Sequence, residues 1–259
     1  RQDELAELLQ TWLDQQKDAQ YVTKQAIQAA RFLGSSDRFW EAKIMLDRYR
    51  DAQDPAVMEV DAAIGDMLHA SGLCNEALPY LISVGEATGS LAMRLRAADC
   101  LLRLQRLDEA EEVVFLLKSE YPEDYKIQML IAGFHRGRGV VAESSGDVEN
   151  SMTHRAAFRD ALEQASDMDP TRTLPFVQLV ESLVIVYRRT LDRQHLEEAT
   201  RYLEAASQIG SSAQLVLQQA DVQEALGDPR QAVLDLEEYL RQSPQDKKVR
   251  ARLAQSFVT

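Results

Sequence analysis

Apolar side chains fall at helical steps from the start of the chain. Leu5, Leu8, Leu9, Trp12 and Leu13 share one face of a helix, and they predict an N-terminal helix within residues 1–22. Further along, the pattern of small and aliphatic positions repeats. Alanines recur inside helix-like stretches at Ala42, Ala77, Ala110, Ala199 and Ala232, and the steps 42 to 77, 77 to 110 and 199 to 232 are 35, 33 and 33 residues. Twelve residues before four of them stands another small residue, Ala30, Gly65, Ala98 or Ala220. Four residues after each comes an aliphatic one: Leu46, Leu81, Val114, Leu203 and Leu236. Two packed helices approach closely only where small side chains face each other, and an aliphatic residue one turn on fills the space beside them. Pro55, Pro122 and Pro244 follow twelve or thirteen residues after an alanine of the series. Proline lacks the donor that a continuing helix needs, so each ends one unit and opens the next.

The turns agree with this reading. Gly227-Asp228-Pro229 is a helix-ending glycine, an N-cap aspartate and a first-turn proline, and Gln231 stands where a capping box places it. Asp108 and Glu111 repeat that arrangement, and Gly72 stops a first helix at the corresponding place. Six helix-turn-helix units are expected at 23–56, 57–90, 91–124, 125–172, 173–212 and 213–246, and the first helix of a seventh at 247–259. Residues 1–22 read as the second helix of a cut earlier unit, so a longer parent chain is expected. The fourth unit carries about fourteen extra residues, and its glycine- and serine-rich segment 137–150 predicts a loop insertion, either a neutral one or one that binds. The fifth unit is also long, through an extended first helix.

These units resemble tetratricopeptide repeats. The nearest match runs through Leu217, Ala220, Leu226-Gly227-Asp228, Ala232, Leu236 and Ser243-Pro244, followed by Met93 to Pro122. The usual first-helix aromatic is missing, and Gly89 and Ser211 stand where proline is expected. The resemblance implies an all-α, right-handed α-solenoid whose first helices line a concave groove. It implies a non-catalytic scaffold that holds a peptide or helix of another protein there. The alternatives are an arm of a larger enzyme or of a secretion or assembly machine, and a sensor for a small signalling peptide. Groove positions on this alignment are Lys24, Ile27, Arg31, Asp66, Asp99 and Arg103, with Glu59, Ala62 and Leu95 beside them. Further groove positions are Arg136, Arg188, Leu217, Asp221 and Glu224. Chaperone-binding relatives clamp a terminal carboxylate with lysine and asparagine. Here those places hold Ile27 and Arg31, Ala62 and Asp66, and Leu95 and Asp99, so that clamp is absent.

Charge narrows the partner further. With 29 basic and 42 acidic side chains the chain carries a net charge of −13, which opposes nucleic acid and anionic membrane. No apolar run, Leu183 to Tyr187 included, is long enough to span a bilayer. Cys74 and Cys100 form no CxxC pair and no Cys/His cluster, so no metal site is expected, and the two are either free thiols or one disulfide. No P-loop, dinucleotide fingerprint, GxSxG or HExxH occurs, so no cofactor and no catalytic residue is assigned. One basic segment, His135-Arg136-Gly137-Arg138, either holds a phosphate or carboxylate or answers the dipole of the helix that it ends.

Overall fold

The computed structural model describes residues 19–35, 38–50 and 57–257, with Thr11; the expected N-terminal helix lies almost wholly outside them. The described residues form thirteen α-helices and no strand. The chain falls into two compact units, 1–117 and 118–259.

In the first unit α1 (Ala19–Ser35) pairs with α2 (Phe39–Asp47), and α3 (Val57–Ala70) pairs with α4 (Cys74–Thr88). Then come α5 (Leu91–Arg103) and α6 (Leu107–Glu120). Helix α4 also packs on α5, and the first helices touch in series, α1 on α3 and α3 on α5. The periodic small residues sit where the packing argument requires. Ala30, Ala42, Ala77, Ala98 and Ala110 are all buried, and so is Gly65. A Cβ added to Gly65 would meet the Leu81 side chain at 3.0 Å, so the glycine sets how closely α3 and α4 approach.

In the second unit α7 (Tyr125–Ser144) pairs with α8 (Val148–Met168), α9 (Leu174–Thr190) with α10 (Arg193–Ile209), and α11 (Ala213–Leu226) with α12 (Pro229–Gln242). Helix α13 (Lys247–Ser256) packs on α11 and α12. Ala199, Ala220 and Ala232 are buried, as are Leu203 and Leu236. Aspartate and serine caps start these helices. Asp124, Asp147, Asp192, Ser212, Asp228 and Asp246 each accept a bond from a backbone N–H of the first turn.

The turn inside five successive hairpins holds one residue in the left-handed region: Gly72, Gln105, Gly146, Leu191 and Gly227. Glycine adopts that conformation freely, whereas Gln105 and Leu191 adopt it against side-chain sterics. Gly89 ends α4 in the same way, closing the helix where other units use proline. Asp108 differs from its expected capping place. Helix α6 starts at Leu107, so Asp108 lies in its first turn beside Glu109, which pairs with Arg106.

Segment 137–150 is not a loop. Helix α7 continues to Ser144, α8 resumes at Val148, and only Ser145-Gly146-Asp147 turns. The extra residues lengthen both helices of one hairpin. Gly137 and Gly139 are buried within α7, and a Cβ on Gly139 would already touch His154 of α8 at 3.6 Å. Each glycine costs a helix about 1 kcal/mol. The buried Phe134, Ala142, Phe158, Leu162 and Ala165 of the two helices offset that cost. In the fifth hairpin the extra length is shared, 17 residues in α9 and 17 in α10, instead of lying in the first helix alone.

Candidate functional site

Four of the six residues assigned to the groove stand together in the first unit, on α1, α3 and α5. Asp66 Oδ1 lies 3.1 Å from Arg96 Nη1, and the charge of Arg31 also acts on Asp66. One repeat on, Asp99 Oδ2 accepts from His69 Nε2 at 2.7 Å and pairs with Arg103 Nε at 2.9 Å. The first helices therefore carry a ladder of alternating charge. Lys24 and Arg31 are exposed on α1. Ile27 is buried in the core at 8% exposure and offers nothing to a partner, while Ala62 and Leu95 are half-buried. Arg96 and His69 were not among the expected residues. Their spacing marks them, since His69 stands one turn after Asp66 and Arg96 one turn before Asp99.

The two aspartates differ electrostatically. Burial raises the pKa of Asp66, and the nearby charges of Arg96, Arg31 and His69 only partly oppose it. Burial also pushes Asp99 up, but the hydrogen bond from His69 and the charge of Arg103 outweigh it and hold the carboxyl below its usual value. Asp66 Oδ1 is inaccessible and makes no hydrogen bond, because Arg96 approaches it in a geometry unsuited to one. The Asp66 side chain as a whole is still 34% exposed.

In the second unit, Arg188 pairs with Asp221 at 3.4 Å, and Arg252 of α13 bridges Asp221 and Glu224 at 3.0 and 2.5 Å. A cavity of about 220 Å³ opens among α7, α8 and α9. His135 and Arg136 of the basic segment line it. Arg138 does not, since its guanidinium lies over the Phe134 ring, 5.4 Å from the centroid. His135 Nδ1 and His154 Nδ1 are 3.1 Å apart. Arg155 and Arg189 both donate to Glu143, and these bonds hold its carboxyl below the usual range. These three residues come from three helices, so no local motif announces them.

Cys74 and Cys100 are buried free thiols. Burial, with Cys74 adjacent, pushes the Cys100 thiol far up, away from thiolate reactivity. Among the described residues no helix is long and apolar enough to cross a membrane, and no group of three His, Cys, Asp or Glu could hold a metal.

Residues 68–133 match the family model for the tetratricopeptide repeat. Among solved structures, the chain is similar to a thermophilic tetratricopeptide-repeat protein of Thermus thermophilus, with 18% identity, TM-score 0.63, and 78% of this chain and 100% of that one covered. It is similar to PilW, a widely conserved type IV pilus biogenesis factor, with 14% identity, TM-score 0.61 and coverage of 90% and 98%. It is also similar to pilF of Pseudomonas aeruginosa, with 15% identity, TM-score 0.57 and coverage of 92% and 100%. At these identities the likeness is one of fold. No curated protein matches the chain.

Proposed function

We propose, from the premise that residues 68–133 are tetratricopeptide repeats in a chain with the all-α solenoid fold of such proteins, that the chain is a non-catalytic scaffold. It binds a segment of another protein along α1, α3 and α5. Stacked helical repeats present extended binding surfaces, which supports the class of function. The observation that carries the location is Asp66. Burial raises the pKa of this carboxyl against three nearby cationic side chains, and the group is partly exposed and lacks a hydrogen bond on one oxygen. A polar group held at a cost to stability is the mark of a site maintained for contact. Asp66 belongs to a ladder with both signs of charge, so the partner is an amphipathic helix or extended segment with mixed charges, not a polyanion. As an arm of a larger assembly, the chain would dock through the same face.

The test captures a partner from native lysate on the immobilised chain and then titrates it with two double variants of equal charge change. Asp66→Lys with Asp99→Lys should weaken binding roughly tenfold, as loss of charge-assisted contacts does. Glu111→Lys with Glu112→Lys, on exposed positions of α6, should leave it near wild type. Equal affinities for the two variants would move the site off this face.

A further inference from the structure

The cavity among α7, α8 and α9 is not part of the charged ladder on α1, α3 and α5, and its chemistry differs. Phe158 is buried at its lining, while Val140 and Ile185 remain 55% and 42% exposed beside it. Large apolar side chains exposed in one concavity mark a contact surface more than scattered ones do. Arg155 and Arg189 converge at the same cavity, and Glu143 sits between them. Each arginine spends one terminal nitrogen on Glu143, so each planar fork keeps donors for a second carboxylate. Arg136 also lines the cavity, against Glu143 and Glu181, so arginines outnumber acids there in a chain whose net charge is −13. At about 220 Å³ the space is smaller than the roughly 300–1,000 Å³ of small-molecule sites and suits a side chain of a protein.

The geometry points to a second binding site here, one that takes an aliphatic side chain flanked by carboxylates from an acidic protein segment. The aliphatic group covers Val140, Phe158 and Ile185. The flanking carboxylates reach the free donors of Arg155 and Arg189, and Glu143 acts as the internal stand-in that holds both forks in place and competes with the ligand for them. Removing the charge of Glu143 therefore strengthens binding, which a site for a basic segment could not do.

Two labelled synthetic peptides, blocked at both ends, test this by fluorescence anisotropy with the full chain. One has a leucine with two aspartates on each side, the other the same leucine between lysines. The aspartate peptide should bind and the lysine peptide should not. Glu143→Gln should tighten the aspartate peptide about threefold, the scale of a partly exposed ion pair. Arg189→Gln should weaken it about tenfold, the scale of a charge-assisted hydrogen bond. The opposite signs exclude misfolding as the cause, and Asp66→Lys with Asp99→Lys should leave the affinity unchanged, keeping this site separate from the first. Preference for the lysine peptide, no binding of either peptide at millimolar concentration, or weaker binding by Glu143→Gln would each overturn the proposal.

Discussion

Asp66 and Asp99 occupy corresponding positions one repeat apart, yet burial wins at one and pairing at the other. The consequence for stability follows from the direction of each shift. Asp99 has a lowered folded pKa, so its contribution is present above the ordinary carboxylate range and is lost as pH falls through that lowered value. Asp66 has a raised folded pKa, so its ionised form costs stability above that value, and the cost fades as pH falls through it. Asp66→Asn should therefore raise the melting temperature at neutral pH, and Asp99→Asn should lower it. Both differences should shrink when melts are repeated in acid below the carboxylate range. The helical spacing of these charges is readable in the sequence, which brings Arg31, Asp66, Asp99 and Arg103 to one face. Which of them is half-buried depends on neighbouring helices, and so does the burial of Ile27. That information is not local, and neither is the Arg155–Glu143–Arg189 cluster, whose members are separated by up to 46 residues.

Among the elements, the small-residue period and the turn signals were legible because each reflects a local steric need. Ala98, Ala110, Ala220 and Ala232 are fully buried for that reason. The long α7–α8 hairpin was not legible. Gly137, Gly139 and the serines after them carry loop propensity, and only packing against α8 overrides it. The hairpin turns offer a sharper test. Leu191 is 73% exposed and left-handed, a conformation that costs an L-residue about 1–2 kcal/mol. Glycine relieves that strain and gives back part of the gain through its freer unfolded chain. Leu191→Gly should stabilise the fold by roughly 0.5–1 kcal/mol in chemical denaturation, since almost no burial is lost.

At the scale of the whole molecule, the main contacts among the described residues of each unit run to adjacent and next-but-one helices. Stability in such an array is close to a sum of neighbour terms, so no single core holds every helix equally. Helix α13 lies at the weak end of that distribution, since Val249 is its one buried residue. The same helix supplies Arg252, the bridge that occupies Asp221 and Glu224. Its opening is then more than fraying. Each time α13 detaches, Glu224 on α11 loses Arg252 as its counter-ion, and Asp221 keeps only its longer contact with Arg188. Amide deuteration should be fastest through Lys247–Ser256, and Arg252→Ala should speed it there while α7 and α8 keep their protection. Slow exchange in α13 would mean that the ion pairs hold it more firmly than its burial allows. Fast exchange makes α13 a removable cover, so the acidity that α11 presents is set by how often that cover lifts.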